Sequence, residues 1–118
     1  MKDNLNIETL KIYGFGSFFR GAKEFNDLDF LILHQTTTKQ SCQAAIECKH
    51  LILKEIKNSH ISMLSIKEEE SLGFIKKSSA CLLGEVNTIN MKNELINILN
   101  KAVSHTNYIT KGLCCINT

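Results

Sequence analysis

Residues 14–33 read Gly14-Phe15-Gly16-Ser17-Phe18-Phe19-Arg20-Gly21-Ala22-Lys23-Glu24-Phe25-Asn26-Asp27-Leu28-Asp29-Phe30-Leu31-Ile32-Leu33. From Asp27 to His34 the later residues are apolar on both faces, which predicts a central strand covered on both sides. Upstream, Leu10 to Phe15 is a short β-prone run stopped by Gly14 and Gly16, a first strand ending in a tight turn. Between the two strands, Ser17 to Lys23 opens a short helix with Ser17 as N-cap, its length limited by Gly21.

Working outward, residues 4–11 are ambiguous between a short helix and a lead-in. Thr36 to Thr38 supply N-cap candidates for a long helix to about Lys57, with Cys42, Ala45, Ile46, Ile52, Leu53 and Ile56 at helical spacing. Ser59 to Ile66 predicts a third strand. Ser65 and Glu68 form a capping-box signature that opens a helix through about Lys77. Cys81 to Val86 is a short fourth strand, and Thr88 to Ser104 an amphipathic helix. Strands separated by helices predict an α/β (α+β) domain, a small mixed sheet of three to four strands packed with helices. No repeat, low-complexity tract or linker interrupts it.

Composition bounds the rest. The 118 residues match one ordinary domain, with 43% hydrophobic and 22% charged residues, which excludes disordered and fibrous classes. No apolar run approaches the ~18 residues of a membrane span, and the N-terminus lacks a signal peptide's apolar region, so a cytoplasmic protein is expected. Cys42, Cys48, Cys81, Cys114 and Cys115 contain no C-x-x-C pair and are odd in number, the pattern of buried thiols rather than of zinc ligands or a disulfide framework. The net charge is +2 and the basic residues are scattered, which disfavours nucleic-acid binding by bulk electrostatics. Fourteen residues are basic, yet the only arginine is Arg20.

The chemistry concentrates in the opening stretch. Asp27 and Asp29, at i and i+2 on one strand, project from the same face. Two close carboxylates repel unless a cation lies between them, and hard oxygen ligands point to Mg²⁺ or Mn²⁺ rather than zinc. A solvated strand edge is the structural alternative. Gly16 and Ser17 sit where a strand meets a helix, so backbone N–H groups and a hydroxyl converge on one spot suited to phosphate oxygens. A phosphate cradle beside a cation clamp describes a site for a metal-chelated nucleoside triphosphate.

Gly16, Ser17, Arg20, Gly21, Asp27 and Asp29 together resemble the signature of the DNA polymerase β-like nucleotidyltransferase superfamily, most closely its minimal nucleotidyltransferase (MNT) members. The match spans about twenty residues, includes the Gly-Ser-x-x-Arg-Gly form, and has a nine-residue spacer between Ser17 and Asp27, one shorter than the commonest. Element order agrees over about residues 5–103. The resemblance implies a nucleotidyltransferase core in which Gly16 and Ser17 hold phosphates, with Arg20 in the same turn. It also implies that Asp27 and Asp29 are catalytic metal ligands for Mg²⁺ (or Mn²⁺), with ATP or another NTP as substrate. In-line transfer of a nucleoside monophosphate to a hydroxyl is the implied reaction.

The family's third carboxylate is missing. Residues 59–66 contain no Asp or Glu, and Ser62 or His60 stands nearest the expected place. Glu85 and Glu68 to Glu70 are weaker replacements. Lys76 and Lys77 read either as a solvated pair or as the later-helix lysine that family members often bring to the triphosphate. Of Phe18 and Phe19, one packs in the core and the other is free to cover a base. His34, His50 and His105 read as surface or interface histidines.

Two functions follow. One is an active nucleotidyltransferase that moves AMP from ATP onto a protein or small-molecule hydroxyl. The other is a catalytically degenerate module acting through protein contacts. Minimal members are often antitoxins paired with a HEPN-type toxin, so a protein partner of that kind or a homo-oligomer is implied by either. A core that uses nearly the whole chain leaves acceptor recognition to a second protein or a second copy.

Overall fold

A computed structural model of the chain describes residues 7–21 and 27–104. Calls on Lys23, His105, Cys114 and Cys115 lie outside the described residues. Strands β1 (Thr9–Phe15), β2 (Leu28–His34), β3 (Ser59–Ser65) and β4 (Cys81–Asn87) form one mixed sheet in the order β3-β2-β1-β4. β1 runs antiparallel to both neighbours, and β2 and β3 are parallel. Helices α1 (Gly16–Phe19), α2 (Lys39–Glu55), α3 (Ile66–Leu72), α4 (Phe74–Ser78) and α5 (Met91–Leu99) connect and cover the strands. The small mixed α/β architecture expected from the alternation is therefore present. No helix of the described residues is long and apolar enough to cross a membrane.

The period-two alternation of β1 and β2 divides the sheet into two faces. Leu10 and Ile12 of β1 join Leu28, Phe30 and Ile32 of β2 in one core, closed by Ala44, Ala45, Cys48 and Ile52 of α2 and by Met91, Leu95 and Leu99 of α5. The opposite face carries Phe15, Asp29, Leu31 and Leu33. There α3 packs on β2 and β3, and the Phe74 ring of α4 meets Phe15 edge-on, centroids 5.0 Å apart. Leu31 is fully buried on this side, so β2 is a central strand covered twice, as its apolar run predicts.

Local chemistry sets the helix ends. Thr38 caps α2, its side chain accepting from the Ser41 N–H, and Ser65 and Glu68 complete the capping box of α3 in both directions. The helix expected from Ser65 through Lys77 is two helices. Gly73, at φ 63°, ends α3 in a left-handed conformation, after which the Glu69 carboxylate accepts from the N–H groups of Phe74 and Ile75 and starts α4. The final helix begins at Met91 rather than Thr88, and its end widens into a π-helical turn at Asn100–Ser104.

Several side chains differ from their sequence reading. Phe18 and Phe19 are both buried, 4% and 2% exposed, stacked edge to face on one another. Neither is free to cover a base. His34 is not a surface histidine: it is 6% exposed, with Nδ1 2.8 Å from the Thr36 carbonyl oxygen, a pure acceptor, so this nitrogen carries the proton. Cys42 and Cys48 are free thiols, whereas Cys81 is disulfide-bonded, an exception to the reading of most of the cysteines as buried thiols.

Candidate functional site

Gly14 and Gly16 solve two packing problems on opposite faces of the sheet. A Cβ on Gly14 would lie 2.8 Å from the Phe19 ring, so its absence seats that ring in the core. Gly16 has φ 84°, which favours glycine, and a Cβ there would overlap Oδ2 of Asp29. The turn and the second aspartate, separated by twelve residues of sequence, are thus in direct apposition.

Ser17 occupies a different place from the expected one. The N-cap of α1 is Phe15, and Ser17 lies within the single turn of helix, half-buried. Arg20 follows as the C-cap: its N–H reaches the carbonyl oxygens of Gly16 and Ser17, both at 3.1 Å, while the residue is exposed. Gly21, at φ 88°, then turns the chain away. The helix is shorter than expected because Arg20 already leaves helical geometry.

Asp27 is half-buried and sits one residue before β2 rather than in it. Asp29 lies inside β2, its side chain 26% exposed. Register pairing puts Phe15 of β1, Asp29 of β2 and His60 of β3 in one row across three strands. His60 Nδ1 is 3.9 Å from Asp29 Oδ1, beyond hydrogen-bond length and an ion pair only when the imidazole is protonated, and the imidazole is 78% exposed. Burial raises the Asp29 carboxyl above its ordinary 3.8; His60 opposes that rise, and the neighbouring Asp27 charge adds to it.

Of the two candidates for the third-acid position, His60 is the one opposite Asp29. Ser62 pairs with Leu31, two residues farther along the strand. Glu85 is excluded by register, because it pairs with Lys11 on the far side of β1, four residues from the Phe15 that faces Asp29. Glu68 and Glu69 are engaged as helix-capping acceptors. Among the described residues, no group of three or more His, Cys, Asp or Glu is arranged to hold a metal ion.

That donor set bears on Mg²⁺ in two ways. A resident two-metal centre does not fit, since the bridging acid is replaced by an imidazole that carries no negative charge in either protonation state. A cation arriving on a nucleotide asks less of the protein, because Mg²⁺ is commonly held by one or two carboxylates and completed by phosphate oxygens and water.

On the α4 side of the site, the sequence offers Lys76 and Lys77 as candidates but not Phe74. Phe74 stands against Phe15, and Lys76 and Lys77 are exposed in the last turn of the same short helix. The one available signal was Gly73, which marks the break that lets α4 turn back over the sheet. Comparison with protein-family models, curated proteins and solved structures finds no match to this chain.

Proposed function

We propose that this chain is a nucleotidyltransferase-type protein, of the minimal kind, that binds a Mg²⁺-chelated nucleoside triphosphate, ATP in the simplest case. Gly16 and Ser17 would hold the phosphates, and Asp27 and Asp29 would hold the Mg²⁺, which would neutralise phosphate charge when bound. The observation that carries this reading is the apposition of Gly16 and the Asp29 carboxylate, which brings the Gly-Ser turn against the second aspartate.

Binding without efficient transfer is the function the geometry supports best. In-line transfer needs the attacking hydroxyl to lose a proton while charge builds on the phosphoryl oxygens, and a two-metal clamp serves both ends. With His60 facing Asp29, the site has one unit of negative charge fewer than such a clamp requires. The protein then acts as a degenerate module through a protein partner, a HEPN-type toxin being the one the resemblance suggests, or through a second copy. A second reading, transfer of AMP to a protein or small-molecule hydroxyl, is favoured by the presence of both aspartates.

Calorimetric titration of ATP with Mg²⁺ tests the binding. Wild type should bind, and the Asp27→Asn/Asp29→Asn variant should lose most of that affinity. Labelled ATP with candidate acceptors then separates the two readings: transfer abolished by the double substitution establishes the transferase, and binding without product the degenerate module. Absence of Mg²⁺-dependent ATP binding would overturn both.

A further inference from the structure

The motif phenylalanines are buried in the core, so a nucleotide bound at the turn needs another surface for its base. Phe15 is the register partner of Asp29 and shares its face of the sheet, so cross-strand geometry puts the two Cβ atoms roughly 5 Å apart. Phe74 meets Phe15 at an interplanar angle of 88°. In such an edge-to-face pair, the ring that presents its edge keeps both of its own faces clear of the other. Both residues are only half-buried. The pair is also held firmly: the Glu69 carboxylate accepts from the Phe74 N–H at 3.0 Å and from the Ile75 N–H at 3.2 Å, which ties the start of α4 to α3.

We propose that the Phe15–Phe74 pair is the stacking platform for the nucleobase, with Phe74 the ring that the base contacts. This rests on the nucleotide-binding reading above and adds the base subsite to it. Every base has a π-face, and stacking on an aromatic ring tolerates differences among bases, so the platform selects nucleotides over bare polyphosphates rather than one base over another.

The chain contains no tryptophan, so Phe74→Trp introduces a single fluorescent reporter at the platform. Emission should be quenched by ATP with Mg²⁺ and left unchanged by inorganic tripolyphosphate with Mg²⁺. In parallel, Phe74→Leu keeps an apolar side chain of similar reach and should weaken ATP binding by about tenfold, with tripolyphosphate affinity unchanged. Equal responses of the tryptophan to ATP and tripolyphosphate, or ATP affinity unaltered by Phe74→Leu, would overturn the platform while leaving the phosphate site standing. If neither ligand binds the wild-type protein, the nucleotide-binding reading fails and the platform with it. Should Phe74→Leu not fold, the tryptophan variant carries the test alone.

Discussion

Gly16 and the Asp29 carboxylate are packed so closely that no side chain fits between them. Gly16→Ala therefore faces two costs, a Cβ at positive φ and an overlap with Oδ2. Together these should destabilise the fold by about 2 kcal/mol or more. In an Asp29→Ala background the overlap vanishes and only the backbone cost, about 1 kcal/mol, remains. Chemical denaturation of the four proteins in this cycle measures the coupling; strictly additive effects would mean that the two residues do not touch in solution.

Asp29 itself should weaken the fold at neutral pH. Its native pKa is raised above 3.8, so the native state holds the proton more tightly than the unfolded chain. Stability is then greatest below 3.8 and is lost as pH rises through the native value. Asp29→Asn, which never ionises, should gain stability relative to wild type between acidic and neutral pH. Carboxyl NMR titration adds a check on the causes: His60→Ala should move the Asp29 pKa further up, and Asp27→Asn should move it down.

Cys48 is buried against the core, and burial, assisted by the nearby Glu47 charge, pushes its thiol up to about 12. Because the thiolate is the nucleophile, Cys48 should stay unmodified by iodoacetamide at pH 8 in the native protein, whereas half-buried Cys42 reacts. Peptide mapping by mass spectrometry reads both sites. Labelling of Cys48 should appear only in denaturant.

The capping box of α3 is a stability element with a pH signature. Ser65→Ala removes the hydroxyl that accepts from the Glu68 N–H and should cost about 1 kcal/mol. In return the Ser65 backbone N–H holds the Glu68 carboxyl below its ordinary 4.5. That contribution is present above 4.5 and lost as pH falls through the lower native value. Glu68→Gln should flatten the acid side of the stability profile, which urea denaturation from pH 3 to 7 would register.

The strands and the longer helices were legible because each depends on neighbours within a few residues. The alternation of β1, the double-sided apolar run of β2, Thr38 as a cap and the Ser65–Glu68 box all act locally, and all four are present. The fate of Phe18 and Phe19 was not legible, since a Gly14 five residues upstream of Phe19 makes the space that draws its ring inward. The break at Gly73 is not legible for a related reason: a lone glycine in a helical pattern is tolerated unless something restarts the chain, and here the Glu69 carboxylate does so.

The candidate site divides along the same line. Sequence alone determined that two aspartates stand two residues apart at the head of β2 and that a Gly-Ser turn precedes them, because strand pattern and turn chemistry follow from residue order. Only the tertiary structure decided which residue faces Asp29. The parallel register of β2 and β3 selects His60 over Ser62, and the position of β4 beyond β1 removes Glu85. Register is a property of two strands meeting at a distance in the chain, and a one-residue slip exchanges every side chain on a face. For that reason the pair Asp27 and Asp29 could be read from the order of residues, whereas the His60 and Phe15 that flank Asp29 across the sheet required the packed strands.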